Sequence, residues 1–216
     1  MSVASSKTDI VNLAFDIIKS ENINNVEIPG ENKQAVVMNR WYDDTRQDAL
    51  EGFPWNFATK RKAIALNATD PAFGFDDAYV LPNDYLSLNF IEFWYVPLSK
   101  YDYMIENGNI YINNDGAGSL DVGYTYDQAT VSKWTPSFKI FVAYKLADLT
   151  VYKLTGNVSL GARIKEGLKQ AELAAKAKNG KANPPVAYRQ SKMLNARRVF
   201  GGSRTTGLFA GQNGRT

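Results

Sequence analysis

The chain has 216 residues, 44% of them hydrophobic and 12% aromatic, and a formal charge of +3, so it can bury a core and is too apolar to be a disordered chain. It contains no cysteine and no histidine, which excludes disulfides, thiolate nucleophiles, Cys/His zinc sites and histidine-based acid–base catalysis. An enzyme made from it would have to work with carboxylates, lysine, tyrosine or an oxygen-bound cation.

Ser6 and Asp9 stand at capping-box spacing. Ile10, Leu13, Ala14, Ile17 and Ile18 follow on one face, predicting a helix over about 7–20. The segment "NINNVEIPGEN" interrupts it. A second helix near 31–51 places Ala35, Met38, Tyr42, Thr45 and Ala49 on one stripe with Trp41 at its edge, and Gly52 ends it. From "ATKRKAIAL" the period changes. "YVLPNDYLSLNFIEFWYV" is aromatic and β-branched, with Pro82 and Pro97 as punctuation, which suits strands. In "YDYMIENGNIYIN" the pair Asn107-Gly108 lies between two alternating runs, as a two-residue type I′ hairpin requires. "NDGAGS" reads as a turn and "LDVGYTY" as a further strand, completing an antiparallel meander.

Thr135-Pro136 supplies an N-cap and first position for a long helix to about Leu154. It carries two apolar stripes, one through Phe138, Phe141, Val142, Leu149 and Tyr152 and another through Ile140, Tyr144, Ala147, Val151 and Leu154. Such a helix is central in a bundle or shared with a neighbouring chain. A last helix is expected over 159–178, where Gly167 falls on the apolar stripe and lets another helix approach closely.

Residues 181–216 hold seven basic residues and no acidic one, so +3 for the chain against +7 for this segment leaves −4 on residues 1–180. The segment is rich in Gly, Ser, Thr and Arg and cannot fold alone, yet apolar residues from Tyr188 to Phe209 are spaced along it. It reads as an arm that orders against a partner. The expected architecture is therefore α+β. Residues 1–57 and 135–180 form an antiparallel helical bundle, 58–134 an inserted antiparallel β domain (sheet or sandwich), and 181–216 an extended basic C-terminal arm.

Little in the chain points to chemistry. Asp43-Asp44 and Asp76-Asp77 could be offered to a divalent cation, but adjacent helical residues point about 100° apart, and solvated faces or an Asp43–Arg46 pair explain them better. The glycine loops "NDGAGS" and "FGGSRTTG" fit no phosphate-binding pattern. Strand alternation sends Lys60 and Lys62 one way and Arg61 the other, so "KRK" makes no single basic face. No metal and no cofactor is expected. Nor is a membrane partner, since no apolar run approaches the roughly 20 residues that span a bilayer. The N-terminal stretch lacks the pattern of a secretory signal.

Four segments in register carry a resemblance. "RQDALEGFPWNFATKRKAIAL" resembles the signature of the tail tubular protein A family, the head-to-tail adaptors or gatekeepers of short-tailed bacteriophages. "YVLPNDYLSL", "PSFKIFVAYKLADLTVYKLTGN" and "SKMLNARR" are similar to later motifs of that family, and the likeness runs over roughly 6–198. The tail after Arg198 is longer than the family pattern.

The resemblance implies a structural virion protein, not an enzyme, made in the bacterial host cytoplasm and located at the head–tail junction. The expected partners are eleven further copies in a dodecameric ring, the portal protein above, a tail nozzle below, tail fibres at the rim, and genomic DNA passing through the lumen without sequence-specific binding. The mildly acidic body suits such a conduit, because a basic wall would hold DNA by counterion release. Tyr188, Arg189, Met193, Leu194, Arg197, Arg198 and Phe200 are the expected anchors of the arm on the portal or a neighbour. Trp41, Pro54, Trp55 and Phe57 are assigned to the junction of bundle and sheet, with plain core packing as the competing reading, and Ile140, Tyr144 and Val151 to a subunit interface. Three alternatives stay open: a tail completion or stopper protein, a DNA-binding packaging accessory, and a carboxylate-based tail enzyme.

Overall fold

A computed structural model describes residues 4–28, 33–93, 96–97, 103–113 and 118–182. The fold is mixed α+β, with four α-helices and two small antiparallel sheets among the described residues. Among the described residues no helix is long and apolar enough to cross a membrane. The expected turn after Asn113 and the arm beyond Ala182, with all seven of its anchor residues, lie outside the described residues.

Local chemistry sets the helix ends. The α1 helix, Lys7–Ile18, begins in a capping box. The Ser6 hydroxyl accepts from the Asp9 N–H at 3.2 Å, and the Asp9 carboxylate accepts from the Ser6 N–H at 2.9 Å. A further bond from the Ser5 N–H is the largest of the influences that hold the Asp9 carboxyl below its ordinary range. The helix stops two residues earlier than expected, because Lys19 turns left-handed (φ 61°) and Ser20 bonds back to the Phe15 carbonyl at 2.9 Å. The α2 helix, Lys33–Glu51, ends just before Gly52. The α3 helix, Pro136–Thr155, starts as expected at a Thr135 cap and ends at left-handed Gly156. The α4 helix, Val158–Lys181, runs three residues past its expected end; Lys178 and Lys181 face the negative end of its dipole.

α3 is the central helix, packed against α1, α2 and α4. Its residues Phe138, Val142, Leu146 and Ala147 are fully buried. This is the bundle-centre alternative of the two that a doubly apolar helix allowed. The Gly167 expectation also finds a concrete form. A Cβ there would lie 2.5 Å from the Tyr144 ring, so the glycine lets that ring from α3 approach the α4 backbone closely.

Between α2 and α3 the described residues form seven strands: β1 Thr59–Ala65, β2 Asp77–Val80, β3 Tyr85–Phe93, β4 Val96–Pro97, β5 Tyr103–Glu106, β6 Asn109–Ile112 and β7 Ser119–Tyr126. All their pairings are antiparallel, but they do not form the expected meander. They divide into a four-stranded sheet, β1-β7-β3-β4, and a three-stranded one, β2-β6-β5, linked by a bridge between Leu66 and Tyr79. β7 is the reason. Its run from Val122 to Thr125 is buried on both faces, so it sits inside the larger sheet between β1 and β3 instead of at the end of a meander. The hairpin at Asn107-Gly108 is as the sequence demands, with φ of 45° and 74°, both in the left-handed region of a type I′ turn.

The apolar interior has two parts. One lies among the helices around Phe15, Met38, Trp55 and Phe138. The other lies between the sheets around Ile64, Tyr79, Ile110 and Val122. Ala58, Val131 and Trp134, at the two ends of the expected β segment, pack with the helices.

Candidate functional site

The segment from Phe53 to Phe57 carries the chain out of α2 and into β1. Trp55 is fully buried there, and its indole N–H donates to the Ala49 carbonyl at 2.8 Å. Aromatic rings surround it, with Phe53 at 5.0 Å between centroids, Phe138 at 4.8 Å and Phe57 at 6.2 Å. These separations suit tilted and edge-to-face contacts, each worth about 0.5–1.5 kcal/mol beyond area burial.

The return of the chain from β7 to α3 repeats the design. Trp134 donates its indole N–H to the Gln128 carbonyl at 2.8 Å and packs edge-on to Phe138 at 5.1 Å. Phe138 in the first turn of α3 is therefore the shared floor of both passages. Each tryptophan reaches back six residues for its carbonyl, which holds the intervening backbone in a closed loop.

Polar clasps hold the same two passages. At the entry, the Asn56 N–H donates to the Asn179 side-chain oxygen and the Asn56 amide to the Asn179 carbonyl, both at 3.0 Å. The Asn179 amide in turn donates to the Pro54 carbonyl at 3.3 Å. At the exit, Arg46 of α2, itself buried, reaches Asp127 at 3.0 Å and Asp43 at 3.4 Å. Gln47 donates to the same Asp127 oxygen at 3.1 Å. Sheet and bundle are thus joined at both crossings by buried rings and by side-chain hydrogen bonds.

Of the expected junction residues, Pro54, Trp55 and Phe57 lie here and Trp41 does not. Trp41 is mid-way along α2 with 39% of its surface exposed, because its helical position points away from the stripe of Met38, Tyr42 and Ala49 that meets the core. Phe138, Trp134, Asn56, Asn179 and Arg46 belong to the junction without having been expected in it. For Trp134 the position just before the Thr135 cap was the available hint, although N4, where a hydrophobic staple would look for its partner, is Lys139. For Asn179, 123 residues away from Asn56, there was none.

The three expected interface residues separate. Ile140 is about half exposed, Tyr144 is partly covered by packing on Gly167, and Val151 is buried beside Gly161. Val151 is spent inside the chain's own core. Ile140 and Tyr144 line a shallow groove of about 260 Å³ between α1 and α3, with Leu13, Ile17 and Asp16 opposite. Leu149 and Tyr152 stand further along α3, Tyr152 with 71% of its surface exposed.

The two candidate carboxylate pairs do not converge on a common point. Asp43 pairs with Lys7 and Arg46, as the i,i+3 spacing anticipated for the latter, and the Asp76 N–H donates to Asn113. Among the described residues no group of three or more acidic side chains could hold a metal ion. Of the "KRK" run, Lys60 bonds Asp84 at 2.6 Å and lies over the Tyr126 ring, while Arg61 lies over Phe90. No protein-family model matches the chain, and no curated protein matches its sequence.

Proposed function

We propose that this chain is the subunit of a head-to-tail connector ring of a short-tailed bacteriophage, joining the portal to the tail nozzle and continuing the DNA channel. The observation that carries the reading is on α3. That helix packs against α1, α2 and α4, yet Ile140, Leu149 and Tyr152 remain exposed along it. Ile140 lies on one side of the helix and Leu149 and Tyr152 on another, so the helix leaves apolar surface open in two directions. Side-by-side subunits, meeting through unlike faces that close into a ring, would cover such residues.

The ordered motifs support the same reading. The Pro-Trp-Asn-Phe-Ala segment, which resembles the adaptor signature, is where the sheet leaves the bundle and is clasped from two helices. A protein that carries load between two large components benefits from sheet and bundle moving as one. The net negative charge of residues 1–180 supports the conduit role. The basic arm, with Tyr188, Arg189, Met193, Leu194, Arg197, Arg198 and Phe200, would add a docking segment that buries its apolar side chains once the portal surface is present.

The test is sedimentation with tail-less capsids that display the portal protein of the same phage. The full chain is expected to co-sediment in many copies per capsid. A chain truncated after Lys181 is expected to remain folded by circular dichroism and to stay in the supernatant. If the full chain fails to co-sediment, the connector reading falls; if the truncated chain co-sediments as well as the full one, the role of the arm falls.

A further inference from the structure

We infer that α2 of one copy meets α4 of the next, in an unlike-face contact held by opposite charge around two exposed apolar side chains. The inference deepens the ring reading and rests on it for the premise that several copies assemble.

The outward face of α2 is acidic in its second half. Trp41 is followed by Asp44, Asp48 and Glu51 at spacings that keep all four on one side of the helix, with exposed Arg40, one turn before Asp44, as the cation on that side. All four are exposed. Asp48 is bridged to Lys145, but Asp44 and Glu51 have no ion-pair partner among the described residues. Asp48 ties α2 to α3, but Glu51 gains nothing from its own helix. The last turn of α2 contains no basic residue, and a carboxylate there faces the negative end of the helix dipole, an unfavourable placement. An external cation would relieve it.

The outward face of α4 is the complement. Leu173 has 68% of its surface exposed. Lys165 and Lys169 flank it on one side, and Arg163 and Lys181 on the other, with Glu166 as the acid on that face. These four cations are exposed and have no ion-pair partner among the described residues. Both helices pack on α3, with far less contact between themselves, so their outer faces point in different directions from one bundle. A face cannot meet its complement within one chain, and it can do so on a second copy. Two unlike faces directed apart are what a closed ring of identical subunits uses, whereas a two-fold dimer would set acid against acid or base against base.

The absence of cysteine makes the contact directly testable. Trp41→Cys and Leu173→Cys variants, which alter exposed side chains, are assembled into particles and treated with a bis-maleimide of roughly the length of a two-helix contact, 8–10 Å. The double variant is expected to give a ladder of cross-linked copies, a mixture of the two single variants dimers only, and either single variant alone no product. Cross-linking of a single variant with itself would overturn the inference. So would particles that hold several copies of the double variant without a ladder, although the ring reading would survive that result. Particles that hold one copy or none would remove both.

Charge exchange gives a second readout. Asp44→Lys with Glu51→Lys makes both faces basic, and Lys165→Glu with Lys169→Glu shifts both toward acid. Each pair of changes alone is expected to lower incorporation at least tenfold. The two variants mixed should restore it, since their faces alternate in sign. Unchanged incorporation by either variant, or no restoration on mixing, would overturn the pairing.

Discussion

The helical and sheet interiors are sealed by different means. Among the helices, rings from distant segments meet: Trp55, Trp134 and Phe141 all reach Phe138, and the polar bonds nearby connect residues as far apart as Asn56 and Asn179. Between the sheets the buried side chains are mostly aliphatic, and the ladder itself brings them together. Its side-chain polar network runs from the buried Tyr124 outward to Asp84 and Lys60, whose side chains are partly exposed. A defect in the first region should therefore be felt at both crossings of the chain, and a defect in the second should stay within a few residues of its origin.

Trp55→Ala should show the contrast most strongly. It removes the ring on which Phe53, Phe57 and Phe138 pack, and leaves the Ala49 carbonyl without its buried donor. Truncation of a buried aromatic costs about 3–5 kcal/mol, a large part of the roughly 5–15 kcal/mol available to a domain. Denaturant unfolding followed by both helix and aromatic signals should show one transition, displaced to lower concentration. If the midpoint falls by less than about 1 kcal/mol equivalent, Phe138 does not depend on the indole as described.

Asn179→Ala asks whether the clasp matters apart from the rings. It deletes the acceptor for the Asn56 N–H and the donor to the Pro54 carbonyl, while the bond to its own backbone carbonyl survives. Leaving such groups unpaired costs about 1–3 kcal/mol. Amide exchange at Asn56 should accelerate along with the loss of stability. An unchanged exchange rate would mean the clasp follows the packing and does not enforce it.

Two glycines allow the same operation in each region. At Gly123 of β7 a Cβ would lie 2.2 Å from the Phe90 ring, and at Gly167 of α4 it would lie 2.5 Å from the Tyr144 ring. In both cases a ring must shift, which costs about 1–3 kcal/mol. In the helix, alanine also recovers about 1 kcal/mol of propensity. Gly123→Ala is therefore expected to be the more harmful. Gly167→Ala should be nearly neutral in the natural chain and stabilising by about 1 kcal/mol once Tyr144 is also alanine. Equal losses at both positions, or no coupling to the ring, would contradict this account of the close approaches.

What the sequence revealed divides along the same line. Features written in local chemistry were legible: the Ser6/Asp9 box, the Thr135-Pro136 start and the Asn107-Gly108 hairpin depend on neighbours a few residues away. Strand order was not, because the place of β7 between β1 and β3 follows from which face finds cover, and alternation alone does not say what covers it. The central position of α3 was readable from its two stripes, but the choice of Ile140 over Val151 as the exposed residue needed the register against α4. Trp41 misled for the opposite reason, since a tryptophan near an aromatic motif suggests burial while its helical position turns it outward.

The smallest effect is expected at Asp84, where the polar network of the sheet can be titrated. Burial works against its ionised form, but the bonds from Lys60 at 2.6 Å and from the Tyr124 hydroxyl at 3.0 Å prevail and hold the carboxyl below its ordinary range. A carboxylate depressed on folding adds stability above its unfolded value of about 4, and that increment is lost as pH falls through the lower folded value. Tyr124 is moved the other way, up to about 12, first by burial and then by its bond to Asp84. Its increment is complete below about pH 10 and declines as pH rises toward the folded value. Asp84→Asn should therefore flatten the acid limb of the stability profile and part of the alkaline limb, leaving the share of the latter that burial causes. Because Lys60 and Asp84 are each more than a third exposed, the difference at neutral pH should be no more than about 1 kcal/mol. An acid limb that keeps its slope in the variant would place the titrating group elsewhere, with Asp9 of the α1 capping box as the next carboxylate to replace.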